Sequence, residues 1–132
     1  MGRYVLDSDA VIDFLAGVAR SVALLEGLRE RGESLYVSDA VIAEVYAGVR
    51  PKDRDGVRRV LTAFTFLPTG PADAELAGCW RHDYARRGIS LSTADMLIAA
   101  TAYAHQATIV TGNVKDYPME GVTVLPLPRA RR

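Results

Sequence analysis

The chain has 132 residues, 49% of them hydrophobic and 24% charged, which are the length and composition of one folded domain rather than of a disordered chain. Its sixteen basic residues balance sixteen acidic ones, so net charge indicates neither a nucleic-acid nor a membrane partner. No apolar run approaches the length of about 20 residues that spans a bilayer, and no signal peptide is visible, so we expect a cytoplasmic protein.

Short runs rich in β-branched and aromatic residues alternate with longer amphipathic segments. The runs predict strands, in chain order, at 4–6, 34–38, 64–67 (the weakest), 108–111 and 122–125. The segments predict helices at about 9–16, 20–31, 40–50, from 51 onward, 72–88 and 90–106. This alternation predicts an α/β fold: a single α/β/α domain over residues 1–132 with a central, mainly parallel sheet of four or five strands.

Several polar residues have the positions of helix caps. Asp9 or Ser8 would cap the first helix, and Ser38 or Asp39 the helix after the second strand. Ser92 would cap the apolar helix that follows it, and Asp95 three residues later completes the pattern of a capping box.

Four acidic residues follow strands or lie near helix starts: Asp7, Glu44, Asp95 and Asp116. Ligands of parallel α/β sheets bind at the carboxyl edge of the strands, so these four side chains can converge there although they are distant in sequence. The surrounding residues favour this interpretation for Asp95, because "MLIAATAYA" after it is almost wholly apolar and predicts a buried helix.

A convergence of carboxylates is a site for a hard cation. The chain has one cysteine and two histidines, which argues against zinc, whereas oxygen ligands suit Mg²⁺, with Mn²⁺ as a substitute. Such an ion lowers the pKa of a bound water and stabilises a leaving oxygen, and two ions would act on both sides of a phosphodiester displacement.

The four acids stand in four segments, in chain order "YVLDSDAVIDFL", "VSDAVIAEVYAGV", "LSTADMLIAATA" and "IVTGNVKDYP". In order and spacing these segments resemble the motifs of PIN domains, a family of metal-dependent ribonucleases. Within the family the chain is most similar to the VapC-type toxins of bacterial toxin–antitoxin pairs. The resemblance implies a metal-dependent endoribonuclease with Asp7, Glu44, Asp95 and Asp116 as its catalytic acids.

The resemblance also implies a role for each acid. Asp7 and Asp95 hold the cation, and Asp116 completes the acidic pocket or coordinates through water. Glu44 ligates a second ion or orients the attacking water. Many family members have an arginine in the fourth motif, where this chain has Thr111-Gly112-Asn113. Asn113 is therefore a neutral ligand or a hydrogen-bond partner of one, and Thr93 has the same two interpretations.

Partners follow from the resemblance and from local charge. Arg81, Arg86 and Arg87 lie along one predicted helix and are candidates for binding RNA phosphates. The resemblance implies an RNA substrate, an antitoxin that covers the acidic pocket, and a homodimer, with no membrane partner. The basic end of the chain, about 128–132, is predicted to be disordered.

Two alternatives remain from the sequence. "VLDSDAV" also fits a haloacid-dehalogenase-like phosphatase with Asp7 as nucleophile and Asp9 as general acid, but Glu44 and Asp95 then have no role. A non-catalytic PIN-like binding module is the other alternative, and the intact set of four acids argues against it.

Overall fold

The computed structural model describes residues 2–128, so all but the first residue of the segment predicted to be disordered, about 128–132, lies outside the described residues. One five-stranded sheet with the order β3-β2-β1-β4-β5 forms the centre, and every pairing within it is parallel. Helices flank the sheet, as the alternation of short and long segments predicted. The strands are β1 (Arg3–Leu6), β2 (Ser34–Ser38), β3 (Thr65–Leu67), β4 (Thr108–Thr111) and β5 (Thr123–Pro126).

The helices connect these strands in the predicted order. They are α1 (Ser8–Leu15), α2 (Ala19–Glu30), α3 (Asp39–Ala47), α4 (Arg54–Leu61), α5 (Pro71–Ala85) and α6 (Thr93–Ala104). Two short 3-10 turns, Pro51–Asp53 and Val114–Asp116, precede α4 and β5. Among residues 2–128, no helix combines the length and the apolar character that crossing a bilayer requires.

The first strand lies in the middle of the sheet, with β2 on one side and β4 on the other. Its last residues, Val5 and Leu6, are fully buried, and so are Ile109 and Val110 of β4. Such continuous apolar runs are typical of parallel strands covered on both faces. The residue that follows β1 therefore emerges at the centre of the carboxyl edge, beside the end of β4.

Helix α1 begins one residue earlier than the capping prediction placed it. The N-cap is Asp7, whose Oδ1 accepts a hydrogen bond of 2.8 Å from the Ser8 amide. The prediction of Asp9 or Ser8 as N-cap was wrong, because both residues lie inside the first turn. The Ser38 and Ser92 caps are confirmed: the Ser38 hydroxyl accepts from the Val41 amide at 3.4 Å and the Ser92 hydroxyl from the Asp95 amide at 3.1 Å.

Most element boundaries differ from the predictions by one to three residues, and two of these differences have a clear local cause. Strand β5 begins at Thr123 because Val122 still belongs to a turn, in which its amide donates to the Met119 carbonyl. Helix α5 ends at Ala85, and Gly88, with φ +80°, completes the turn after it. Arg86 and Arg87 consequently lie beyond α5 and do not continue the helical face of Arg81.

Candidate metal centre

Three carboxylates from three different elements meet at the carboxyl edge of the sheet. One oxygen from each of Asp7, Glu44 and Asp95 lies within 4.8 Å of the others. Asp7 follows the central strand, Glu44 is on α3, and Asp95 is in the first turn of α6. The predicted convergence of these residues is therefore present in the structure.

Asp7 is the most enclosed of the three, with 4% of its surface exposed. Its amide donates to the Val110 carbonyl at 2.9 Å, which ties the end of β1 to β4. Its Oδ2 accepts two hydrogen bonds of 2.8 Å, one from the Thr111 hydroxyl and one from the Tyr117 hydroxyl. With the Ser8 amide on Oδ1, these bonds hold the carboxylate in one orientation.

Glu44 is on a helix whose neighbouring positions, Val41 and Val45, are fully packed. Its Oε1 is shielded from solvent and has no hydrogen-bond partner within residues 2–128. Burial raises the pKa of Glu44, the Ser8 hydroxyl opposes that effect, and the charges of Asp95 and Asp7 add to it. A buried carboxylate oxygen without a partner is costly, so this oxygen is the clearest sign of a missing ligand.

Asp95 is held at the start of α6, where its amide donates to Ser92. Burial raises the pKa of its carboxyl, and the negative charges of Asp7 and Asp116 raise it further, against the opposing hydroxyl of Ser92. The carboxylate lies among the other acids, since one of its oxygens is within 4.8 Å of both Asp7 and Glu44.

Asp116 and Asn113, the two candidates from the fourth motif, lie at the margin of the group. Asp116 is partly exposed in its 3-10 turn and is not one of the three acids within 4.8 Å of one another, although its charge acts on Asp95. The Asn113 side chain is directed to Asp9, with Nδ2 donating to Asp9 Oδ2 at 3.2 Å. The predicted ligand set of Asp7, Asp95 and Asp116 thus differs from the observed group, in which Glu44 takes the third place.

Asp9 lies next to this group and is partly buried. Its Oδ2 accepts from the Gly112 amide at 2.8 Å as well as from Asn113, and its Oδ1 is shielded without a partner in the described part of the chain. Burial raises the pKa of Asp9, and the charge of Asp7 raises it further. The carboxylate that a phosphatase would use as a general acid is therefore engaged by the loop after β4.

Tyr117 and Thr111 both contact Asp7, and neither contact was predicted from the sequence. Tyr117 is 4% exposed, and burial together with the charges of Asp7 and Asp95 raises the pKa of its hydroxyl far above the usual range. The hydroxyl is therefore neutral and donates to Asp7. Tyr117 stands in the quoted motif "KDYP", but its burial depends on the packing of the loop after β4, which no periodicity in the sequence reveals.

The predicted RNA-binding arginines differ in how they are held. Arg81 donates from Nε to the Leu91 carbonyl and from Nη1 to the Thr93 hydroxyl, both at 2.8 Å, so it lies beside the first turn of α6. The Thr93 hydroxyl accordingly accepts from an arginine. Arg87 stacks over the Tyr84 ring at 4.7 Å, and Arg86 is exposed at the end of α5.

The residues of this edge fit a small divalent cation. Carboxylates crowded in a partly buried place repel one another, and the raised pKa values of Glu44, Asp95 and Asp9 express that repulsion together with burial. Oxygen donors alone are what Mg²⁺ and Mn²⁺ prefer. The Glu44 oxygen without a partner would be satisfied by such an ion.

The chain is similar to known proteins over most of its length. The family model of the PIN domain matches residues 4–115. Ribonuclease VapC10 of Mycobacterium tuberculosis is 34% identical over 115 residues, which cover 87% of this chain and 86% of that protein. Ribonuclease VapC19 of the same organism is 29% identical over 115 residues, covering 87% and 92%.

A solved structure shows the same fold. A chain in the crystal structure of VapBC2 from Rickettsia felis, bound to a DNA fragment from their promoter, superposes with a TM-score of 0.80 at 21% identity. The superposition covers 94% of this chain and 98% of that one. These similarities favour neither the phosphatase nor the non-catalytic module. A family match over this much of the sequence is decisive, and the chain therefore belongs to the PIN-domain family, among its VapC ribonucleases.

Proposed function

We propose that this VapC ribonuclease is a metal-dependent endoribonuclease whose cation is held by Asp7, Glu44 and Asp95. The observation that carries the proposal is the approach of three carboxylate oxygens to within 4.8 Å of one another. Like charges at that spacing raise each other's pKa, and a divalent cation offsets the repulsion. Mg²⁺ is the expected ion, and Mn²⁺ should substitute for it.

The bound cation supplies a water of lowered pKa and stabilises charge on the phosphate and on the leaving oxygen. The protein holds the carboxylates that bind the cation in fixed positions. Asp7 is fixed by Thr111, Tyr117 and Ser8, so it presents a carboxylate that need not reorganise during the reaction. Glu44 would complete the ligands of the cation through the oxygen that has no other partner in the described residues.

Asp116 acts in this proposal from the margin of the pocket. Its charge already reaches Asp95, although it lies outside the group of three carboxylates. A water between Asp116 and the cation fits that position better than direct ligation.

RNA is the proposed substrate, held at its phosphates by cations near the pocket. Arg81 is the best placed, since it is bonded to Thr93, two residues before Asp95. Two of its nitrogens are engaged within the fold, which orients the guanidinium and leaves Nη2 for a phosphate. Arg86 and Arg87 are exposed nearby in the chain and would contribute to the general attraction for the RNA backbone.

A protein partner belongs to the same proposal. The solved relative VapBC2 is a complex of two proteins, and we propose that this chain is likewise neutralised by an antitoxin that covers the acidic pocket. The chain would act as a homodimer in the cytoplasm, where its RNA substrates are.

Cleavage of a mixed pool of structured RNA by the purified protein tests the proposal. We expect discrete fragments with Mg²⁺ or Mn²⁺, and none after EDTA treatment or with the double variant Asp7→Asn plus Asp95→Asn. Asp55→Asn is the matched control, because Asp55 is an exposed acid on α4 that pairs only with Arg58 in the described structure. Fragments that persist with EDTA, or in the double variant, would contradict the proposal.

A further inference from the structure

Asp9 belongs to a closed ring of hydrogen bonds that reaches Asp7. Asp9 Oδ2 accepts a hydrogen bond of 3.2 Å from the side-chain Nδ2 of Asn113. The backbone amide of Asn113 donates to the Thr111 hydroxyl at 2.9 Å. The Thr111 hydroxyl in turn donates to Asp7 Oδ2 at 2.8 Å. Asp7 is the N-cap of α1 and Asp9 lies in its first turn, so the backbone between them closes the ring and joins the start of α1 to the loop after β4.

Gly112 is the second link between Asp9 and this loop. Its amide donates to Asp9 Oδ2 at 2.8 Å. A Cβ atom on Gly112 would stand 2.8 Å from the same oxygen, which is closer than carbon and oxygen can approach without one of them moving. The guanidinium of Arg20 stands 3.6 Å away from that position on another side. A side chain at residue 112 would therefore require the Asp9 carboxylate to move from its observed position.

The Asp9 carboxylate occupies the space that the side chain of residue 112 would need, and it bonds to the backbone amide of Gly112 instead.

We propose that Asp9 is a positioning residue for the acidic pocket, acting through Gly112, Asn113 and Thr111 on the orientation of Asp7. The two donors to Asp7 Oδ2 are Thr111 and Tyr117. Both belong to residues 111–117, the segment that Asp9 anchors to α1. Without Asp9, that segment loses two of its bonds to α1, and Asp7 loses the fixed arrangement of its partners. The inference rests on the proposed function in that Asp7 is taken as a ligand of the cation.

The test measures Mn²⁺ affinity by calorimetry and RNA cleavage by kcat and KM, for Asp9→Ala, Asp9→Asn and the wild type. We expect Asp9→Ala to bind Mn²⁺ about 10-fold more weakly, the loss typical of residues that orient a metal ligand. Its kcat should fall while KM stays near the wild-type value. Asp9→Asn should recover most of the affinity, because an amide oxygen can accept the same two hydrogen bonds. Asp55→Asn should match the wild type.

A double-variant cycle tests the link through Gly112. Gly112→Ala should reproduce the loss of Mn²⁺ affinity, because its Cβ displaces the Asp9 carboxylate. In the Asp9→Ala background the same substitution should cost nothing further. Additive losses in Asp9→Ala plus Gly112→Ala would overturn the proposal, as would wild-type Mn²⁺ affinity and kcat in Asp9→Ala.

A readout without metal separates this proposal from the proposed function. In the nuclear magnetic resonance spectrum of the metal-free protein, Asp9→Ala should shift the ring signals of Tyr117, whose hydroxyl shares Asp7 Oδ2 with Thr111. Unchanged Tyr117 signals would overturn the proposal even if the wild type binds Mn²⁺. Shifted Tyr117 signals in a protein that binds no Mn²⁺ would support the hydrogen-bond ring and contradict the proposed metal site instead.

Discussion

The first turns of α3 and α6 have the same local construction and opposite surroundings. A serine caps each helix, Ser38 or Ser92, and each first turn contains an aspartate, Asp39 or Asp95. Asp39 accepts hydrogen bonds from both the amide and the hydroxyl of Thr69. Asp95 faces Asp7 and Glu44 instead.

The pKa shifts of the two aspartates express this difference. Burial acts to raise the pKa of Asp39, but the hydrogen bonds from Thr69 and from backbone amides at the helix start together outweigh it, and the pKa is lowered. Burial and neighbouring negative charges raise the pKa of Asp95. An acid at a helix start is thus structural or functional according to what the rest of the fold brings to it.

Substituting Asp95 and Asp39 in turn should give the largest difference between the two helix starts. Asp95→Asn removes a proposed ligand and should lower RNA cleavage more than about 100-fold, beyond the loss expected for a residue that only orients a ligand. Asp39→Asn should cleave normally and lower the free energy of unfolding by about 1 kcal/mol, because the bonds from Thr69 weaken. Cleavage rates and denaturant unfolding of both variants check this. Equal activity of the two would remove the distinction.

Adding Mn²⁺ should stabilise the protein through the acidic group around Asp95 and not through Asp39, which already has Thr69 as its partner. At a Mn²⁺ concentration about 100 times the dissociation constant, linkage predicts a gain of about 2.7 kcal/mol in the free energy of unfolding. The gain should be retained in Asp39→Asn and lost in Asp95→Asn. Thermal unfolding with Mn²⁺ and after EDTA measures it, and an equal gain in both variants would contradict the proposed site.

Removing the Tyr117 hydroxyl should have a smaller effect. Tyr117→Phe deletes one of the two donors to Asp7 Oδ2 and should weaken Mn²⁺ binding about 10-fold. Tyr103→Phe is a suitable control, because Tyr103 packs against Trp80 on α5, outside the acidic pocket. Calorimetric titration of both variants provides the measurement, and a Tyr117→Phe affinity equal to that of Tyr103→Phe would mean that the hydroxyl does not orient Asp7.

The pH dependence of stability should have opposite signs for the two acids. Because the folded pKa of Asp95 is raised, its contribution to stability is complete at low pH and is lost as pH rises from 3.8 through the folded value. The Tm of the metal-free Asp95→Asn variant should therefore rise relative to that of the wild type as pH increases.

The lowered pKa of Asp39 reverses the sign. Its contribution is present above pH 3.8 and is lost as pH falls through the lower folded value, so the deficit of Asp39→Asn should shrink in acid. Melting curves of both variants in EDTA, from pH 3 to 7, test the pair. Parallel curves for the two variants would show that neither carboxyl is perturbed as described.

The fold was predictable because its signals are local. β-branched runs and serine caps identified the strands and the starts of α3 and α6, and the alternation of elements predicted a parallel sheet. The convergence of Asp7, Glu44 and Asp95 followed from the rule that such strands present their carboxyl ends at one edge.

The contacts within the edge were not predictable from local pattern. Asp7 serves as both N-cap and buried acid, and one capping rule cannot distinguish it from Asp9. Whether Glu44 or Asp116 is nearest to Asp7 and Asp95 depends on how α3 and the loop after β4 pack. The Tyr117 hydroxyl bonds to a residue 110 positions earlier in the chain, and no spacing rule extends so far.

The long separation in sequence between Asp7 and Tyr117 also determines when the acidic pocket can form during synthesis of the chain. β1 is made first but lies in the middle of the sheet, and its neighbour β4 begins only at Thr108. While the chain is being translated, Asp7 has none of its partners from β4 or the loop beyond it, and α6 cannot pack under them. A nascent or truncated chain that ends before Thr108 should therefore bind no Mn²⁺ and cut no RNA, so a toxic activity would arise only after β4 and the loop beyond it have been translated.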